Sequence, residues 1–365
     1  MHAAMLGRDC SFKSAVVAIK QRLGRGGLVT QLRESDINGA PLPFQAAGGV
    51  SAACFESVCK VIHKTLGRNE LRQQVQAVDL KERSIIFHAA KSQAANVFQA
   101  VIRAFDGDGG GCPRNTDNGD QTEVPRKSWL LADDLPESPA PEHKKRQAIR
   151  SIRGRNVFVD YKGMTVLHVA CRWGCPDIVE MILKGASKQG PDFVQDFLRI
   201  VDNSGRTALM HALRHDHGIY ACEVDSVGLI LGALVDRANN TAYPEKLRLF
   251  TQPASPKFDS SALMHAAYGG PKRFEVVQDY ICSLVQNAQH DSATHPCHTG
   301  LRLEFALGIE HESPEKKLDR YGILLASAAS GGHSCVLEDI LDAIKVRSLY
   351  SPVLTIGPVR NVLEN

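Results

Sequence analysis

The sequence predicts an all-α protein, a solenoid of helical repeats interrupted by one long insertion. Three observations lead there. The stretch Asp160–Ala186 reads as a turn, a short helix, a tight break and a longer helix. Shorter echoes of that unit recur along the 365 residues, and the spacing between them returns to one period. Self-similarity at a fixed period of about 20–50 residues marks stacked units, each burying its apolar face against the next.

In the clearest unit, D-Y-K-G-M-T-V-L-H-V-A-C-R-W-G-C-P-D-I-V-E-M-I-L-K-G-A, Asp160 and Gly163 frame the turn. Gly supplies backbone freedom that other residues lack. Thr165 is an N-cap, its hydroxyl placed to accept a hydrogen bond from the next turn of backbone. Leu167, Ala170 and Cys171 give a short helix a small-residue face. Gly174 ends it, and Ile178, Val179, Ile182 and Leu183 form the apolar stripe of a second helix.

The same frame returns at Gly39–Ala47, Ser84–Ala90, Asp202–Leu213, Asp259–Ala267 and Leu325–Leu341, and Met1–Ala4 matches the interior of a first helix. With Ala4, Ala47, Ala90, Cys171, Leu213, Ala267 and Ala329 as markers, a step of 42–43 residues occurs three times and the others are longer. Ahead of the turns, Leu28 and Leu32, then Leu71, Val75 and Val78, then Phe193, Phe197 and Val201 keep a three-to-four spacing. Each unit is therefore expected to hold two helices plus a short additional one.

The Asp160–Ala186 unit resembles an ankyrin repeat, whose core reads T-P-L-H-x-A-A, then G-H, then I-V-x-x-L-L. Armadillo and HEAT units share the lengthened period, but the Asp-x-x-Gly-x-Thr turn and the Leu167-His168 pair favour ankyrin. The resemblance implies a non-catalytic scaffold that binds other proteins on the concave face formed by turns and first-helix ends. By that resemblance the partner-binding residues are Tyr161, Lys162, Met164, Arg172, Trp173, Asn203, Arg206 and Arg214. Trp173 has two readings, a binding anchor or a cover over the neighbouring repeat. Two alternatives to a free-standing scaffold stay open: a targeting or regulatory arm of a larger enzyme, and a nuclear factor using the basic segment 143–155.

Four regions are expected: repeats over 1–105, an insertion over 106–155, repeats with loop insertions over 156–345, and a tail over 346–365. The insertion opens with nine acidic residues and five prolines between Asp106 and Glu142, then carries six Lys and Arg between His143 and Arg155. Such a composition buries little, so disorder is expected, and removal of Asp106–Glu142 should leave the array folded. At the other end of the chain, Met1–Ala4 lacks the turn and cap of its own unit. Either more sequence lies upstream or the first unit frays, with Val16, Val17, Ile19 and Leu23 covered on one side only.

Composition narrows the function classes. The net charge is +3, which gives no global attraction to nucleic acid or a membrane. No run of residues reaches the apolar length of a membrane span, and the ten cysteines are scattered, as reduced thiols of an intracellular protein would be. Cytoplasm or nucleus is expected, with a monomer binding other proteins. His211 with His215, His295 to His298, and Asp106 to Asp117 each echo a metal site faintly, but none supplies a full ligand set, so no metal, cofactor or catalytic residue is expected. No phosphate-cradling or nucleophile-elbow motif occurs either.

Overall fold

The computed structural model describes residues 4, 6–105, 129–131, 149–152, 155–214, 223–235, 261–288 and 314–350. Its contacts divide the chain into two units, Met1–Phe197 and Leu198–Asn365. Among the described residues the named elements are helices apart from one β-hairpin.

The first unit opens with α1 (Asp9–Arg33), kinked at Gly24, which buries Phe12, Leu28 and Leu32. Three helix pairs follow. The short first helices are α2 (Leu42–Ala47), α5 (Ile85–Lys91) and α7 (Val166–Arg172). Their longer partners are α3 (Ala52–Leu66), α6 (Ala95–Phe105) and α8 (Pro176–Ser187). The additional helices expected from Leu71–Val75 and Phe193–Phe197 are α4 (Arg68–Gln76) and α9 (Pro191–Leu198). First helices stack on first helices, α2 on α5 and α5 on α7, and second helices on second helices. Ala46, Ala47, Ala89, Ala90, Ala170 and Cys171 are all buried, which is why small residues recur there: they let neighbouring first helices approach.

The second unit repeats the scheme. First helices α10 (Ala208–Leu213), α12 (Ala262–Gly269) and α14 (Pro314–Ser330) pack in sequence, and α11 (Glu223–Val235), α13 (Pro271–Ala288) and α15 (Ser334–Tyr350) line up beside them. Arg273 is buried and donates to the carbonyls of Leu213 and Gly269, satisfying the frayed ends of two first helices.

Capping follows the sequence. The Thr165 hydroxyl accepts from the His168 amide, while the Thr165 amide donates to His168 Nδ1, so the Thr-x-x-His string closes a reciprocal box. The Thr207 and Ser261 hydroxyls cap α10 and α12, accepting from the Met210 and Met264 amides. One turn breaks the pattern. Gly39, Gly163 and Gly205 hold their turns at φ 71°, 71° and 77°, but the equivalent place in the third repeat is Glu82, at φ 58°. A side chain in that region costs roughly 1–2 kcal/mol, part of which Gly returns as lost chain entropy. Glu82→Gly should therefore stabilise the chain by about 0.5–1 kcal/mol. A denaturant midpoint that fails to rise at unchanged slope would contradict this.

The insertion departs from expectation. Ile149–Ile152 (β1) and Arg155–Phe158 (β2) form an antiparallel hairpin with Ile149 opposite Phe158, inside the stretch expected to lack structure up to Arg155. Leu131 bridges Val157 on the far side. Trp129 and Leu130 are buried, Trp129 to 9% exposure, with its ring edge-on to Phe98 at 5.7 Å. A Cβ on Gly185 would meet the Trp129 ring at 2.7 Å, so the bare backbone of α8 is what lets the indole lie there. Deleting Asp106–Glu142 would remove this contact, so the expectation that the segment buries little is corrected at Trp129 and Leu130. The remainder of 106–148 lies outside the described residues.

Candidate partner-binding site

The turn residues of the site are positioned by aspartates, of which Asp79, Asp160 and Asp202 are buried. In the turns led by Asp36, Asp79, Asp160 and Asp202, one carboxylate oxygen accepts the amides of the residues two and four further on, at 2.8–3.0 Å. The turn is thereby fixed by its own backbone, and the side chains just after the aspartate project outward. In the first unit these include Tyr161 and Lys162, both exposed, with the Lys162 ammonium 5.5 Å from the Tyr161 ring centre. In the second unit they include Asn203, also exposed.

The second carboxylate oxygen meets a side chain of the following first helix. His88 Nε2 lies 3.0 Å from Asp79, and His211 Nε2 lies 2.9 Å from Asp202, each nine residues after its aspartate. Gln45 takes the same role for Asp36 at 2.6 Å. These side chains tie the first helix to its turn, and His211 is accounted for without a metal. His265 is also buried, and burial together with Arg206 and Arg214 pulls its pKa down to about 3, so its imidazole is neutral. Among the described residues no group of three His, Cys, Asp or Glu could hold a metal ion. His215, His295 to His298 and Asp106 to Asp117 lie outside them.

At the end of α7, Arg172 is exposed and Trp173 is half-buried. Trp173 covers part of the neighbouring repeat: Gln93 donates to its carbonyl at 3.1 Å, and Lys91 stands over its ring at 5.2 Å. Met164 is different. It is only 7% exposed, because its backbone closes the Asp160 turn and its side chain folds into the core, so it is corrected from a surface contact to a packing residue. In the second unit, Arg206 and Arg214 are half-buried, and the Arg214 guanidinium lies 5.2 Å from the Tyr268 ring centre.

The sequence reading overlooked Lys81 and Lys91. Lys81 sits in the turn position equivalent to Lys162, and its carbonyl accepts from the Tyr161 amide at 3.2 Å. Lys91 is crowded: partial burial, then Arg83, Lys81 and Arg172, hold its ammonium below the usual lysine range. Aligning the third repeat on Asp79 would have found both.

A family model described as ankyrin repeats, three copies, matches residues 147–236. Residues 147–236 carry ankyrin repeats. Among solved structures, the ankyrin repeat domain of Bcl-3, a member of the IκB protein family, aligns over 84% of this chain and 95% of its own. Identity is 19% and the TM-score 0.36, so the assignment rests on the ankyrin match and the turn and cap geometry above. A search of the curated proteins finds no match. Ankyrin repeats are protein–protein interaction modules and generally non-catalytic. No helix among the described residues is long and apolar enough to cross a membrane.

Proposed function

We propose that this ankyrin chain is a non-catalytic scaffold that holds protein partners on the surface made by its turn tips and first-helix ends. In the first unit that surface comprises Tyr161, Lys162, Arg172 and Trp173. In the second it comprises Asn203, Arg206 and Arg214. The observation that supports this most is the half-open Trp173 beside Arg172, an aromatic and a guanidinium that the array orders without burying. Trp, Tyr and Arg are the residue types that carry most binding energy at interfaces. The chain is proposed to act inside the cell as a monomer. Free thiols at Cys54, Cys59 and Cys171 support a reducing compartment, and burial pushes the Cys59 thiol up to about 12.

The test is partner capture from the native cell extract by the full chain and by its Arg172→Ala/Trp173→Ala variant. Each truncation of an anchor residue is expected to weaken binding by about 2 kcal/mol. The captured set should shrink while the melting temperature holds. Recovery of the same proteins by both chains would reject the assignment of this face.

A further inference from the structure

The turn tips of the first unit form an exposed apolar ridge. Ile37, Leu80 and Tyr161 each directly follow their turn aspartate, and they are 96%, 64% and 47% exposed. The tips are joined in order by backbone hydrogen bonds, Leu80 to Asn38 at 2.8 Å and Tyr161 to Lys81 at 3.2 Å. The three side chains therefore stand in one row along consecutive repeats. Large apolar groups at three successive tips, all open to water, are the arrangement expected of a contact surface.

Cations flank the row. Lys81 and Lys162 follow Leu80 and Tyr161 in their turns, and Lys91 and Arg172 end the first helices behind them. Among the described residues no carboxylate lies within ion-pair distance of any of these four. The aspartates of the same three turns are committed to their own backbones, and Asp79 also to Arg83 and His88. The charge of these aspartates is thus turned inward, and apart from Glu82 the three tips present apolar side chains along the crest and cations beside it.

Building on the partner-binding reading above, we infer that this ridge binds an acidic segment of a partner protein that also carries large apolar side chains. Carboxylates would answer Lys81, Lys91, Lys162 and Arg172, while the apolar groups cover Ile37, Leu80 and Tyr161. A nucleic acid fits less well, since Ile37 and Leu80 offer no ring for a base to stack on and would sit against phosphates.

The test uses the full chain and fluorescence anisotropy with a labelled peptide of Asp and Glu interrupted by Leu. The comparators are the same peptide with Leu replaced by Ser, the same peptide with its acids replaced by amides, and a single-stranded oligonucleotide of equal charge. The acidic, apolar peptide should bind, and binding should weaken as salt rises. Either altered peptide, and either of the variants Leu80→Ser/Tyr161→Ser and Lys91→Gln/Arg172→Gln, should bind about tenfold more weakly or worse. Leu23→Ser, at an exposed apolar residue of α1, should stay within about twofold of the unaltered chain. No binding at low salt, equal binding of the amide peptide, or tighter binding of the oligonucleotide would overturn the inference. So would unchanged binding by both ridge variants. If a variant fails to fold, the peptide comparison on the unaltered chain still decides. Should the Arg172→Ala/Trp173→Ala chain lose its partners while the acidic peptide does not bind, this inference falls and the scaffold reading stands.

Discussion

Trp129→Ala is expected to lower the unfolding free energy by about 3–5 kcal/mol, the range for removing a buried large aromatic. The indole is nearly enclosed, edge-on to the fully buried Phe98 of α6, and lies where Gly185 leaves α8 without a side chain. Its loss empties a space bounded by two second helices that already pack on each other. Those helices cannot close the gap without shifting their own cores, so collapse recovers little. Chemical denaturation of the full chain measures the change. A loss below about 1 kcal/mol would mean that the segment at 129–131 docks only loosely.

Asp79→Ala should cost about 2–4 kcal/mol through the third turn. The carboxylate is enclosed and accepts from the amides of Lys81 and Arg83, from the Arg83 guanidinium and from His88. Burial alone would raise its pKa, but the bonds from His88 and Arg83 outweigh burial and hold the carboxyl well below the usual range. The folded pKa being lower than the unfolded one, this group's stabilisation is complete above about pH 4 and is lost as pH falls further toward the folded pKa. Asp160 supplies the contrast. It has the same two backbone amides but, among the described residues, no bonded His or Arg, and burial raises its carboxyl. An amide oxygen can still accept from two backbone N–H groups, so Asp160→Asn should cost less than Asp79→Asn. Equal losses at the two turns would refute the roles given to His88 and Arg83.

What the sequence made legible was local. Thr165, Gly163 and Gly174 specify a cap and two left-handed turns by their own chemistry, and each is found where expected. The additional helices were readable because Leu71 with Val75 and Phe193 with Phe197 share a face whatever they pack against. Trp129 was not, since two leucines and a tryptophan amid proline, glycine and acid carry no periodicity. Only the long-range meeting with Phe98 and Gly185 gives them a place. Met164 failed for a related reason: a turn position reads as surface in one repeat, and its burial is decided by neighbouring elements. The role of His88 and His211 was written in the chain as a nine-residue interval from Asp79 and Asp202, but an interval acquires meaning only once the turn folds back on the helix.

The bonds between neighbouring tips have a practical consequence. They run from main chain to main chain, even between Lys81 and Tyr161, where the polypeptide departs for the insertion and returns. Since neither donor nor acceptor belongs to a side chain, the residues at 37, 80 and 161 can be exchanged without disturbing the frame that presents them. They behave like interchangeable type set in a fixed forme. A library randomised at those three places, with the aspartates before them kept, should yield mostly folded proteins of altered preference, and the natural chain could change partners by the same few steps.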